Sequence, residues 1–241
     1  MLLLGTLLNI AGILIGGLFT LARRRQLTPK TQLALKGLLG VATVFVGLST
    51  TWQSLGDGVG GVAKSMTILV LALIAGRLTG KLLHLQAGLN KLGRHASEKF
   101  SKAIPGQPQP WGDGFTVCAL LFCVTPLALI GSLLDGLGGH WQTLAIKAVM
   151  DGLATMAFIS VFGWSTLVSI VPVIALQGTL TMAARLFAPQ LENSPMLLAF
   201  QGTAGMLVFC VSLIILELKK VELGDYLPSL AWAPFLAWVW R

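Results

Sequence analysis

The sequence predicts an all-α fold, namely a polytopic bundle of about eight transmembrane helices. The chain of 241 residues is 55% hydrophobic and only 11% charged, with a mean hydropathy of +0.81. A soluble domain of this size carries more charge on its surface. The apolar stretches approach or reach the roughly 20 residues that a helix needs to cross the hydrocarbon core. They are rich in Leu, Ala and Gly and lack period-two alternation, which argues against a barrel.

Seven strongly apolar stretches and a shorter eighth follow one another along the chain. They are Leu2–Ala22, Leu33–Trp52, Val62–Gly80, Phe115–Leu134, Leu144–Phe162, Ser165–Phe187, Met196–Leu216 and Leu227–Trp240. The first is not predicted to be a cleaved signal, because its basic cluster follows the apolar run instead of preceding it. The eighth would span only about 21 Å as a helix, so it either needs an extension or re-enters the membrane.

Basic residues divide unevenly between the two sides of this predicted bundle. With the N-terminus outside, three cytoplasmic connections hold most of the 17 Lys and Arg residues. Cytoplasmic loops of membrane proteins carry such an excess, so we predict a multi-pass membrane protein with its N-terminus outside. The net charge of +8 then reflects contact with anionic lipid head groups. A nucleic-acid partner is not predicted, because the basic residues lack an aromatic stacking platform.

One long basic connection divides the chain into three parts. Residues 1–84 hold the first three segments, residues 85–112 form a cytoplasmic linker, and residues 113–241 hold the remaining segments. Basic and apolar residues alternate over Leu85–Ile104, which predicts an amphipathic helix on the leaflet surface, although a solvated loop also fits. Pro105, Gly106, Pro108 and Pro110 then predict an extended end.

Small residues suggest two features of helix packing. Gly12-xxx-Gly16 and Gly76-xxx-Gly80 each place two glycines on one helix face, which permits close backbone approach and makes a homo-oligomer plausible. A faint echo between residues 4–7 and 177–180 raises the hypothesis that segments 1–3 and 6–8 form an inverted repeat, as in secondary transporters. Chance matches between glycine-rich helices explain the echo as well.

Lys147 and Asp151 are the most informative residues, because they lie inside an apolar segment. They are four residues apart, so they share one helix face and can pair. Asp151 lies about 10–12 Å below the outer end of its helix and is too short to reach the interface. A central Asp costs about 2.5–3.5 kcal/mol on insertion scales. Two interpretations stay open: a structural ion pair that holds the bundle together, and a site for a substrate, ion or proton.

Other polar residues fall within the outer half of the membrane. The amides of Asn9, Gln177 and Gln201 lie about 10–15 Å from the outside, and Asp135 ends the fourth segment. A water-filled cavity open to the outside would explain the depth of all these residues together. Alternatively, hydrogen bonds between helices would explain the amides alone. Pro172 could also break the sixth helix close to Gln177. The predicted ligand- or ion-binding residues are Asp151, Lys147, Asn9, Gln177, Gln201 and Asp135.

Motifs for catalysis, metals and cofactors are missing from the sequence. It has no Gly-rich phosphate loop, no HExxH and no GxSxG. Cys118, Cys123 and Cys210 lack the spacing of a zinc site or a redox pair. We therefore predict no catalytic residue, no metal and no cofactor, while an enzyme that acts on lipids through sparse motifs stays an alternative.

Several short motifs occur together in one order along nearly the whole chain. They are Gly5-Thr6-Leu7-Leu8-Asn9, Ile15-Gly16-Gly17, Phe122-Cys123, Gly131-Ser132-Leu133-Leu134-Asp135-Gly136-Leu137, Lys147-Ala148-Val149-Met150-Asp151-Gly152 and Tyr226-Leu227-Pro228. With these motifs the chain resembles the YqgA-like family of uncharacterised bacterial inner-membrane proteins, domain-of-unknown-function family 554. The resemblance implies a multi-pass inner-membrane protein, sometimes labelled a transporter, and implies no particular chemistry.

These observations favour a transporter or channel for a small solute or ion. In this hypothesis Asp151 binds the ion or proton, and Lys147 is its partner or an anion contact. Asn9, Gln177 and Gln201 line the site. The leading alternative is a non-transporting membrane scaffold or sensor, whose basic linker contacts lipid or a cytoplasmic partner.

Overall fold

The computed structural model of the chain confirms the all-helical fold. It describes residues 3–23, 28–103, 111–191 and 194–240, and within these ranges every regular element is a helix. Helices suit the long apolar runs, because they satisfy every backbone hydrogen bond within one segment, as hydrocarbon requires. The chain is thus a polytopic bundle of transmembrane helices.

Six helices precede residue 140 in the described part of the chain. They are α1 (Leu4–Arg23), α2 (Pro29–Gln53), α3 (Gly58–Leu82), α4 (Leu85–Lys102), α5 (Trp111–Cys123) and α6 (Pro126–Gly138). The helices after residue 140 are α7 (Gln142–Phe162), α8 (Ile170–Val173), α9 (Thr179–Leu191), α10 (Pro195–Ile215), α11 (Leu223–Tyr226) and α12 (Ser229–Val239). A 3₁₀ stretch, Gly163–Ser169, precedes α8, and a π-helical turn, Ile174–Gly178, follows it.

The number of helices that could cross a membrane does not confirm the predicted count of eight. Among the described residues, five helical stretches are long and apolar enough to cross a membrane, or six when α5 and α6 count as one broken span. One of the five is the 50-residue stretch Gln142–Leu191, in which Gly163 leaves the helical conformation at φ 67° and ψ −151°. Because α12 has only 11 residues, it spans about 16 Å as a helix. Neither the eight crossings nor the inverted repeat is confirmed.

The chain forms two compact units that interleave in sequence. Unit 1 comprises residues 1–35 and 89–184, and unit 2 comprises residues 36–88 and 185–241. Unit 1 therefore contains α1, α5, α6, α7 and α8, most of α4, and the first part of α9, Thr179–Ala184. Unit 2 contains α3, α10, α11, α12 and most of α2.

In unit 1, glycines let α1 lie directly against α7. A Cβ added to Gly12 would lie 2.2 Å from the carbonyl oxygen of Ala148, and one added to Gly16 would lie 2.2 Å from that of Gly152. Such distances are far below van der Waals contact, so only glycine fits at either position. Nearby, an apolar cluster of Ile13, Cys118, Phe122 and Val173 joins α1, α5 and α8.

Within the predicted linker, Leu85–Lys102 forms the helix α4. Phe100 on α4 makes edge-on contacts with Phe158 and Phe162 of α7, at centroid distances of 5.3 and 5.9 Å. Lys99 Nζ lies 2.6 Å from Asp113 Oδ1 on α5. These contacts attach α4 to its own unit. The predicted extended end of the linker, Pro105 to Pro110, falls outside the described residues, and contact with lipid stays a prediction.

In unit 2, the second pair of glycines lets α3 pack closely against α11 and α12. A Cβ on Gly76 would lie 2.4 Å from the Ser229 nitrogen, and one on Gly80 would lie 2.0 Å from the Asp225 carbonyl oxygen. The predicted close approach at both Gly-xxx-Gly pairs is therefore confirmed within single units. It needs no second copy of the chain.

Candidate functional site

A buried polar stripe runs along α7 at intervals of four residues. It consists of Thr143, Lys147, Asp151 and Thr155, whose exposed fractions lie between 0% and 6%. The helix repeat places residues four apart on one face, so the four side chains point into the interior of unit 1 together. The other residues of α7 are largely apolar.

Lys147 and Asp151 form an ion pair inside this stripe. Lys147 Nζ lies 2.5 Å from Asp151 Oδ2, and the two side chains are only 2% and 9% exposed. The ammonium nitrogen also lies 5.9 Å from the ring centroid of Phe122, which adds a cation–π attraction. The Thr155 hydroxyl donates to the Asp151 carbonyl oxygen at 2.7 Å. Each charge therefore has its compensating partner within one helix turn.

Asn9 of α1 and Gln177 of the π-helical turn meet beside this pair. Asn9 Nδ2 donates to Gln177 Oε1 at 3.2 Å, and both residues are fully buried. The Asn9 amide also interacts with the Asp151 carboxyl group. The structure thus brings four of the predicted site residues together in unit 1. Two amide atoms, Asn9 Oδ1 and Gln177 Nε2, have no hydrogen-bond partner among the described residues.

The helices that carry this cluster are irregular. Gln177 lies in the π-helical turn between α8 and α9. There the backbone hydrogen bonds depart from the regular α-helical pattern. The predicted fourth segment is broken, since α5 and α6 meet at an angle of 57° on either side of residues 124–125. Pro126 begins α6 and has no N–H group, so the Phe122 carbonyl loses its regular helical partner.

Asp135 has a structural contact that sequence reasoning did not identify. Its Oδ2 accepts a hydrogen bond from the Gly5 N–H at 3.1 Å, and the residue is buried. A carboxylate at this place satisfies one of the free N–H groups at the start of α1 and complements the helix dipole. This contact alone explains an acidic residue at the end of α6.

Gln201 belongs to unit 2, where it is half-buried on α10. The residues beside it, Gly202 to Gly205, face α2 and α3, and the Gly202 carbonyl accepts a hydrogen bond from Thr51 Oγ1 at 3.2 Å. Its predicted place among the site residues stays a prediction.

Sequence reasoning missed a set of buried threonines in unit 1. The hydroxyls of Thr6, Thr125 and Thr143 have no hydrogen-bond partner among the described residues. The four-residue spacing of Thr143, Lys147, Asp151 and Thr155 is a signal that could have identified two members of the stripe. Thr6 lies three residues before Asn9, which is the neighbouring position on the same helix face.

Most buried hydroxyls in unit 2 donate to a nearby backbone carbonyl, as Thr20, Ser132 and Thr155 do in unit 1. Thr43, Thr50, Ser54 and Ser212 each donate to a carbonyl three or four residues earlier in their own helix. Such bonds use the hydroxyl proton locally, so these side chains have no donor left for a ligand. Among the described residues of unit 2, Thr203 alone keeps a buried side-chain oxygen without a partner.

The described residues offer little for a metal. They contain no group of three His, Cys, Asp or Glu side chains that could hold an ion. The three cysteines are unpaired, and Cys118 is fully buried in the apolar cluster. His140 lies between α6 and α7, where burial lowers the pKa of its imidazole below the ordinary value. A neutral His140 therefore predominates at neutral pH.

Comparison with known proteins supports the resemblance drawn from the motifs. The model of a family described as "Protein of unknown function (DUF554)" matches residues 4–238. The chain is 26% identical over 234 residues to the uncharacterized membrane protein YdfK of Bacillus subtilis (strain 168), covering 97% of this chain and 93% of YdfK. It is also 26% identical over 239 residues to the uncharacterized protein YqgA of Escherichia coli (strain K12), covering 98% and 97%. No solved structure matches the chain at a significant level. The match over almost all its residues means that the chain belongs to the DUF554 family of membrane proteins.

Proposed function

We propose that unit 1 carries a small polar solute or ion across the membrane and binds it beside the Lys147–Asp151 pair. One observation carries this proposal: Asn9 Oδ1 and Gln177 Nε2 are buried next to the ion pair and lack protein partners among the described residues. An acceptor, a donor and two opposite charges thus converge on one buried place. A small polar molecule or a hydrated ion fits such a set.

The energetic cost of these groups supports a binding role. Transfer of an amide or hydroxyl into an apolar medium without a hydrogen bond costs roughly 2–7 kcal/mol, depending on the reference state. Amides whose only role is to hold helices together lower this cost by forming hydrogen bonds with each other. Asn9 and Gln177 make one such bond and keep one free group each. Their retention in a membrane interior is explained when a polar ligand or water uses the remaining groups.

The irregular helices of unit 1 add support. Transporters commonly build their binding sites from broken helices, whose free backbone groups contact the substrate or ion. In unit 1 the break between α5 and α6 and the π-helical turn at Gln177 lie in segments that pack near α1 and α7. Thr125, whose hydroxyl has no partner among the described residues, lies at the break between α5 and α6.

A scaffold is the second candidate, and the ion pair itself favours it. Lys147 and Asp151 neutralise each other and are nearly inaccessible, which suits a purely structural pair. A scaffold has no need for water at Gln177, however. Access of water to this residue therefore separates the two functions.

The test is thiol labelling of a single cysteine in a chain whose native Cys118, Cys123 and Cys210 are replaced. The variant Gln177→Cys should react with a small membrane-impermeant methanethiosulfonate reagent, because the polar site must open to water during transport. Val173→Cys is the matched control, since Val173 is equally buried one turn earlier but belongs to the apolar cluster. It should stay unreactive. Failure of both positions to react in folded protein would favour the scaffold.

A further inference from the structure

A groove in unit 2 joins an apolar wall to a basic rim. The groove lies between α3 and α10 and has a volume of about 580 Å³. Its wall is formed by apolar side chains, namely Val70, Leu73, Ile74, Leu207, Cys210 and Leu213. Val70 and Ile74 are exposed, so the wall is accessible along the helix.

The rim of the groove is positively charged. Arg77, Lys219 and Lys220 line it together with one acid, Glu222, which leaves a net charge of two positive units. None of the three cations takes part in an ion pair among the described residues. The Arg77 guanidinium lies 5.6 Å from the ring centroid of Tyr226, which orients it at the edge of the groove.

A hydrogen-bonded clasp fixes this rim. The Gln86 N–H donates to Asp225 Oδ1 at 2.9 Å, and the Gly224 N–H donates to Gln86 Oε1 at 2.8 Å. Since α11 also lies against Gly80 of α3, Tyr226 is held in place from two directions. The aromatic and cationic groups are therefore positioned before any ligand arrives, which reduces the entropy lost on binding.

We infer that this groove binds one acidic phospholipid. Its phosphate would contact Arg77, Lys219 and Lys220, and an acyl chain would lie along the apolar wall. Charge complementarity selects an anionic head group, because a zwitterionic lipid brings a cation that the basic rim repels. The apolar wall selects a lipid over a free phosphate ion. Basic pockets between membrane helices bind acidic head groups in this way.

The experiment is native mass spectrometry of the full chain in detergent with added dioleoylphosphatidylglycerol. The wild type should retain one lipid more tightly than the others. The variant Lys219→Gln/Lys220→Gln, and separately Arg77→Gln, should bind that lipid about fivefold more weakly for each cation removed. Lys81→Gln/Lys91→Gln is the matched control, because it removes two exposed cations that do not line the groove.

Three outcomes would overturn the inference. An equal loss in the control variant would indicate diffuse surface charge in place of a site. Equally tight binding of dioleoylphosphatidylcholine would remove head-group charge as the determinant. Displacement of the lipid by millimolar inorganic phosphate would assign the groove to a soluble anion. None of these outcomes bears on the transport proposal, which concerns unit 1.

Discussion

The side chains of Lys147 and Asp151 satisfy each other within a single turn of α7. Their four-residue spacing was sufficient to predict this contact, because geometry along one helix is fixed by the sequence. The bond between Asn9 and Gln177 was not predictable in the same way, since it joins residues 168 positions apart. The hydrogen bond of Asp135 to the start of α1 was not predictable either, because it also joins residues that are distant in the sequence.

A double-mutant cycle on Lys147 and Asp151 measures how much the ion pair contributes to the stability of the protein. Lys147→Met or Asp151→Leu alone should destabilise the protein by about 3–5 kcal/mol, because each leaves one buried charge without a partner. The double variant should regain much of this loss. Thermal unfolding of purified protein in one detergent measures all four states of the cycle.

Proton flux into pyranine-loaded proteoliposomes is the second readout on the same variants. If the pair forms the transport site and the transported ion is a proton, the stable double variant should conduct at the rate of empty vesicles while the wild type conducts faster. A double variant that is both stable and fully active would show that the two charges are needed neither for stability nor for transport.

At the scale of elements, close helix contacts depend on particular glycines. The Gly-xxx-Gly pattern correctly predicted close approach, but it did not reveal which helix would be the partner. That choice depends on tertiary packing: α1 meets α7, and α3 meets α11 and α12. The bend between α5 and α6 was also not predicted, because the apolar stretch Phe115–Leu134 has no charged residue that marks a break. The signal was Thr125-Pro126, since the residue before a proline avoids the helical region.

Two alanine substitutions test the role of these contacts. Gly12→Ala should lower stability by about 1–3 kcal/mol, because the added Cβ would overlap the Ala148 carbonyl and force α1 away from α7. Gly37→Ala is the control: nothing lies within 4 Å of its Cβ position, so the better helix propensity of alanine should make it neutral or slightly stabilising. Equal effects of the two changes on the melting temperature would contradict close packing at Gly12.

At the scale of the whole molecule, hydropathy predicts where segments lie in the sequence but not how they group. The linker at residues 85–112 suggested a division in chain order, whereas the two compact units draw on segments from both sides of it. Periodicity and composition report local burial only. Contacts between distant segments, such as α1 with α7, follow from complementary shapes that no single segment contains.

Membrane orientation is a property of the whole chain, and the distribution of basic residues predicts it. If the positive-inside rule holds, the turn before α3 faces the periplasm and α4 faces the cytoplasm. Gly60, in the first turn of α3 next to that loop, and Lys91 on α4 are exposed, so single cysteines there report the two sides separately. In a chain without native cysteines, Gly60→Cys should react with an impermeant maleimide in intact spheroplasts, and Lys91→Cys only after permeabilisation. The reversed pattern would invert every assignment of inside and outside. It would also move the basic groove of unit 2 away from the leaflet whose negative surface potential is expected to fill it.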